Sequence, residues 1–216
     1  MDFKVNSKQL EKLLTKIIPA VPTRTPMTIL ENFLLEIKSG LLTIYATDME
    51  ISLKSSINIL AEKDIKIVVP ARMLYETVRS FKDTSIDFTI TENKKLTLKT
   101  STGEYSFSYI DAKEFPEIPS FPQQENAEDI NEFTISGNDL KNAFDLTAFA
   151  MSKEEMRPAM TGTLISFNEE GIRFVATDGH RLVNLLKTGH QTNINEQYIV
   201  PERAITVLLK ILDDKE

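Results

Sequence analysis

Apolar and polar positions alternate along Ile172-Arg173-Phe174-Val175, break at Thr177-Asp178-Gly179-His180-Arg181, and resume as the apolar run Leu182-Val183-Asn184-Leu185-Leu186. Alternation on both sides of a short polar centre predicts two strands joined at a tight corner. Asp178-Gly179 supplies the turn chemistry, because Gly tolerates positive φ and the Asp side chain can bond its own backbone. The chain nearly repeats the pattern 130 residues earlier, in Ala46-Thr47-Asp48-Met49-Glu50-Ile51. The second copy carries Gly179, His180 and Arg181 where the first has Met49, Glu50 and Ile51. The shared frame reads as structural and the divergent insert as functional.

The duplication extends along the chain. Phe3-Lys4-Val5-Asn6 predicts a short strand ending in a helix cap, and Phe133-Thr134-Ile135-Ser136 predicts the same in the second copy. Asn6 and Ser136 suit the cap position, with Gln9 and Asp139 three residues on. Behind them lie two amphipathic helices, with apolar stripes Leu10, Leu13, Leu14, Ile17, Ile18 and Leu140, Ala143, Phe144, Thr147, Ala148. Each is followed by a strand, a Gly turn at Gly40 or Gly171, and the Ala-Thr-Asp strand. Ile67-Val68-Val69-Pro70-Ala71-Arg72 then matches Tyr198-Ile199-Val200-Pro201-Glu202-Arg203, with Pro placed for the first helical position. The helices that follow bury Leu74, Val78 and Phe81 in one copy and Ile205, Leu209 and Leu212 in the other. Five aligned elements make this an internal repeat.

Copy one continues through three more alternating strands, Ile86 to Ile90, Leu96 to Leu98 and Tyr105 to Tyr109. Pro116, Pro119 and Pro122, among acidic and Gln residues, then mark a stiff linker. Copy two has no such strands before Glu216. The repeat therefore predicts an α+β protein, each complete unit setting two helices against curled antiparallel sheets. The first unit spans 1–115, the linker 116–131, and an incomplete second unit 132–216, in a fragment of a longer protein.

Composition narrows the picture. The chain has 216 residues, 41% hydrophobic and 26% charged, as an ordinary globular protein does. It contains no Cys, which removes disulfides and thiolate metal sites. The N-terminus lacks a signal-peptide layout, and no apolar run approaches the roughly 18 residues that span a bilayer. A cytoplasmic protein with no membrane contact is expected. The net charge of −7 argues against a uniformly basic nucleic-acid binder. Yet the helical segments, with Lys8, Lys12, Lys16 and Arg24, then Arg72, Arg79 and Lys82, then Arg203 and Lys210, are net positive. The remainder is correspondingly acidic. Positive helices set against acidic sheets suit a protein that presents one face to a polyanion.

An enzyme would have to use Asp48, Asp178 and His180 as metal ligands of a phosphodiesterase. There are two His in all, no Ser-centred elbow and no Gly-rich phosphate loop. Asp48 and Asp178 hold equivalent turn positions, so turn formation explains both better than catalysis does. His190 reads as a loop residue. A plain protein-interaction scaffold is the other alternative.

The residues that carry a family resemblance are the Met-x-Phe-x-Val start, Pro26-Met27-Thr28-Ile29-Leu30, Ala46-Thr47-Asp48, Val69-Pro70-Ala71-Arg72, Glu114-Phe115-Pro116 and, above all, Ala176-Thr177-Asp178-Gly179-His180-Arg181-Leu182. In this order the chain resembles the bacterial DNA polymerase III beta subunits, the sliding clamps. The resemblance implies a clamp fold of three repeats, the third absent here, and a homodimeric ring around duplex DNA. It implies no catalysis and no cofactor. It implies sequence-independent DNA contacts at Arg24, Arg72, Arg79, Lys12 and Arg203. It implies a linear-motif pocket at Met160, Thr177, Gly179, His180, Arg181 and Leu182, serving the replicative polymerase alpha subunit, the clamp loader and repair polymerases. It also implies ring-interface contacts at Tyr105 and Phe107. Alternation puts those two on one face, so they are expected to share one environment.

Overall fold

In a computed structural model, residues 1–61, 63–118, 132–189 and 194–212 are described. The chain divides into two units, Met1–Pro119 and Ser120–Glu216. The proposed linker falls largely outside the described residues, as does His190.

Unit 1 opens with β1 (Asp2–Asn6) and α1 (Ser7–Ile17). Asn6 caps the helix, its Oδ1 accepting the N–H groups of Lys8 and Gln9 at 2.9 and 3.2 Å. Leu10, Leu13, Leu14 and Ile17 are all buried, as the stripe predicts. Next come β2 (Asn32–Lys38), β3 (Leu41–Thr47), β4 (Ser52–Asn58), the two-residue β5 (Leu60–Ala61) and β6 (Ile65–Pro70). The unit continues through α2 (Ala71–Arg79), β7 (Ser85–Thr91), β8 (Lys95–Lys99), β9 (Glu104–Ser108) and β10 (Ile110–Asp111). All pairing is antiparallel, in two sheets of order β5-β1-β7-β8-β9 and β10-β6-β2-β3-β4. One core joins the helices to both sheets, from Leu14 and Val78 to Phe33, Ile44, Ile86 and Leu96. The other face of the second sheet carries a smaller cluster in which Phe115 packs with Leu34 and Val68.

Unit 2 has α3 (Gly137–Thr147), β11 (Gly162–Asn168), β12 (Gly171–Thr177), β13 (Leu182–Lys187), β14 (Gln197–Pro201) and α4 (Glu202–Ile211). Its sheet runs β13-β12-β11-β14, the order of β4-β3-β2-β6 in unit 1. Ser136 caps α3, its Oγ accepting the Asp139 N–H at 3.1 Å. Phe144 and Phe174 meet edge to face at 5.7 Å in the core.

Three expectations change. Residues 133–136 form no strand, although the cap they lead to is intact. In unit 1 the matching β1 is held between β5 and β7, and among the described residues unit 2 has no counterpart of β7. Phe133 instead lays its ring 4.5 Å from that of Phe167. Pro70 and Pro201 sit one residue earlier than predicted. Each is the last residue of its strand, still in register with Asn32 or Gly162, and occupies the N-cap position of the helix that follows, without a side-chain cap bond. The ring's fixed φ suits both the strand end and the helix entry, and the missing N–H costs no ladder bond at that point. Finally, Tyr105 and Phe107 do not share an environment. Phe107 lies opposite Leu96 in the core, whereas Tyr105 is 39% exposed, its ring 5.2 Å from that of Phe81.

Candidate functional site

The corner between β12 and β13 is built by two side chains. Thr177 Oγ1 donates to the Arg181 carbonyl at 2.7 Å and accepts the Gly179 N–H at 3.1 Å. Asp178 Oδ1 accepts the N–H groups of His180 and Arg181, both at 3.0 Å. Those two backbone donors, Arg181's first, and the nearby Arg181 guanidinium hold the Asp178 carboxyl below its ordinary value. Gly179 lies in the left-handed region at φ +88°.

The corner between β3 and β4 repeats this frame bond for bond. Thr47 Oγ1 donates to the Ile51 carbonyl at 2.9 Å and accepts the Met49 N–H at 3.1 Å. Asp48 Oδ1 accepts from Glu50 and Ile51 at 3.1 and 2.8 Å. Met49 takes the Gly179 position at φ +76°, where a side chain is strained. The frame is thus structural in both units. Both carboxylates accept backbone N–H groups of their own turns, and among the described residues no three His, Cys, Asp or Glu side chains gather as metal ligands.

What differs is the surroundings of the second corner. A Cβ placed on Gly179 would lie 3.3 Å from Arg157 Nη1 and 3.9 Å from Met160 Cε, so Met160 does adjoin the turn. Met160 is placed by a short 3-10 turn, Pro158–Met160, and its carbonyl accepts the Ser152 N–H at 2.9 Å. Leu182, the first residue of β13, is 64% exposed. His180 and Arg181 instead line a cavity of about 500 Å³ together with Phe149, Asp178, Glu202, Ile205 and Leu209. The predicted pocket residues therefore divide: His180 and Arg181 open into this cavity, while Met160, Gly179 and Leu182 do not line it.

Two neighbours escaped sequence reasoning. Arg157 precedes a Pro in a region without periodicity, so nothing in the pattern points to it. Phe149 falls one place past the buried stripe of α3 and is 58% exposed, and an off-stripe aromatic is the signal that could have found it. The Arg181 guanidinium lies over its ring at 5.4 Å from the centroid.

The candidate DNA contacts of unit 1 lie in solvent. Lys12 on α1, Arg24 in the following loop, and Arg72 and Arg79 on α2 are all exposed, and the two helices pack against each other. Arg79 makes a long contact to Glu76 at 3.9 Å. An Arg72 Nη lies 3.4 and 3.5 Å from the carbonyls of Val21 and Pro22, next to the loop that carries Arg24. Lys12 and Lys16 flank a shallow cleft of about 440 Å³ with Ser55 and Asn58 of β4. In unit 2, Arg203 is half-buried in the first turn of α4.

The repeated hairpin frame and the paired antiparallel sheets define a duplicated α+β module. Residues 1–119 match the DNA polymerase III beta subunit N-terminal domain, and residues 134–216 match its central domain. The chain belongs to the DNA polymerase III beta subunit family. The beta sliding clamp of Pseudomonas aeruginosa is 30% identical over 219 residues, covering all of this chain and 58% of that protein. A crystal structure of the same organism's DNA polymerase III subunit beta aligns with a TM-score of 0.87 at 29% identity, covering 100% of this chain and 57% of that one. A second, of a P. aeruginosa sliding clamp bound to griselimycin, aligns at 0.86 with the same identity and coverage. The chain thus spans little more than half the length of these relatives.

Proposed function

We propose that this chain supplies the first repeat and most of the second of a non-catalytic processivity factor. That factor is a clamp that closes head-to-tail as a homodimer around duplex DNA and tethers the replicative polymerase. Membership of the family supports this reading, and one observation carries the docking site. The same turn frame occurs twice, but only the second copy is glycine-centred and set beside Met160, Arg157 and an open cavity.

A ring is held on DNA by topology, so its contacts can be weak and indifferent to sequence. Cations facing phosphates meet that need, because they neutralise charge without reading base edges. Lys12, Arg24, Arg72 and Arg79 supply them in unit 1, and Arg203 in unit 2. At the linear-motif site, Leu182 and Met160 offer an apolar lining, and Met adapts to ligands of different shape. Gly179 lets a peptide backbone approach. The polymerase alpha subunit, the clamp loader and repair polymerases are the partners of this reading. At the ring interface Tyr105 offers the contact surface, on an edge strand whose outer side is unpaired among the described residues. No helix among the described residues is long and apolar enough to cross a membrane, and a cytoplasmic place of action follows from the replication role.

Two measurements on the full-length protein test this. Titration calorimetry with griselimycin gives binding to wild type and a loss of at least ~100-fold in Leu182→Asp, as expected when a charge enters an apolar contact; equal binding by the two proteins removes the docking site. Loaded protein is retained on circular DNA and lost from linear DNA, and Arg24→Ala shortens retention equally on all sequences. Retention that ignores free ends leaves the scaffold reading in its place.

A further inference from the structure

We propose that Arg181 and Phe149 act as one staple that positions the docking corner. This rests on the docking role proposed above and assigns a part to Phe149, which the sequence motif does not include.

The guanidinium engages three groups while the side chain stays 55% exposed. Arg181 Nε donates to Asp178 Oδ2 at 2.9 Å, closing the turn across its own carboxylate. Its Nη2 donates to the Phe149 carbonyl at 2.6 Å, in the 3-10 turn Ala148–Ala150 that follows α3. Its Cζ lies over the Phe149 ring at 5.4 Å, within the range of a cation–π contact. A planar fork makes these bonds in one fixed geometry, which a lysine's point charge does not reproduce. The carbonyl it reaches belongs to a segment anchored in the core, because Ala150 is fully buried and Met151 nearly so. One side chain therefore ties an exposed hairpin tip to the packed end of α3.

Unit 1 provides the contrast. Its corner has the same turn bonds, but Ile51 stands at the Arg181 position and Pro19 at the Phe149 position. An isoleucine has neither a donor nor a cation, and a proline has no aromatic face. The staple is therefore confined to the copy whose corner is glycine-centred and opens onto a cavity. Gly179 removes steric restraint from the turn, and the staple supplies a restraint from outside.

The test is a double-mutant cycle in the full-length protein, read by calorimetry with griselimycin and by amide exchange at His180 and Arg181. Arg181→Ala and Phe149→Ala each weaken binding by about tenfold, and the double variant by no more than the larger single effect, because the two side chains make one contact. Phe149→Tyr, which keeps the ring face, stays within about twofold of wild type. Exchange at the two amides quickens in both alanine variants without ligand, while exchange in the β12–β11 ladder is unchanged. Phe149→Leu serves as a second variant if Phe149→Ala lowers the melting temperature of the whole protein. Additive losses, or Phe149→Ala and Phe149→Leu binding as well as wild type, overturn the staple. If wild type itself does not bind griselimycin while the amide effects persist, the docking role fails and the staple stands as a structural feature of the corner.

Discussion

The corners at residues 47–52 and 177–182 share the turn bonds that their Thr and Asp side chains make to the backbone and differ in what surrounds them. Thr47 is buried, and its Oγ1 also accepts a bond from Ser52 Oγ at 2.9 Å. Thr177 is only half-buried. Unit 1 places a strained Met49 where unit 2 places Gly179. One corner has its Thr buried and keeps a side chain at its exposed apex; the other has its Thr half-buried, is opened at the apex and is fastened from the side. A duplicated scaffold can thus keep its folding instructions in two side chains, Thr and Asp, while the residues between them become free to take up another role.

Exchanging the corners gives the largest effect. Gly179→Met, His180→Glu and Arg181→Ile together keep Thr177 and Asp178, so the hairpin folds, yet griselimycin affinity falls by more than ~100-fold. Retained affinity would mean that the turn frame alone makes the site. Next is the frame itself. Thr47→Val leaves the Met49 N–H without its acceptor and costs about 2–3 kcal/mol, against about 1 kcal/mol for the more exposed Thr177→Val. Urea unfolding followed by exchange in each unit separates the two.

The apex follows. Gly179→Ala places a side chain at φ +88° and costs about 1 kcal/mol, because the nearest atoms are the movable ends of Arg157 and Met160. Met49→Gly relieves strain in the other direction, by about 0.5 kcal/mol once the added chain entropy is counted. The smallest effect is set by pH. Asp178 is lowered in the folded state, so its support of the turn is present above the ordinary carboxylate value of 3.8 and is lost as pH falls through the lowered one. Faster exchange at His180 and Arg181 below that pH, with no change near neutrality, is the expected result.

Much of this was legible in the chain. Stripes at helical spacing placed Leu14 and Phe144 in the cores, and turn chemistry placed both corners, because these features depend on residues close together in sequence. The strand assigned to 133–136 failed for the opposite reason: a strand needs a partner, and β1 has two where the second unit shows none among its described residues. Alternation placed Tyr105 and Phe107 on one face but was blind to the sheet's end, where Tyr105 meets Phe81 and surfaces. At the site, Gly179 and Leu182 were visible in the motif. What the motif did not show is that Asp178, the Phe149 carbonyl and the Phe149 ring all engage the Arg181 guanidinium. Phe149 is 32 residues away in sequence, beyond any local pattern.

Because Thr177 and Asp178 take up the N–H groups of Gly179, His180 and Arg181, the tip of this hairpin offers a visitor few unspent backbone donors. In the docking role proposed above, recognition there leans on contour and greasy contact more than on a polar code. A surface of that kind tolerates exchange of hydrophilic residues in whatever it holds, provided the apolar ones stay in place. In that role one berth serves different occupants in turn, with no change in the berth itself.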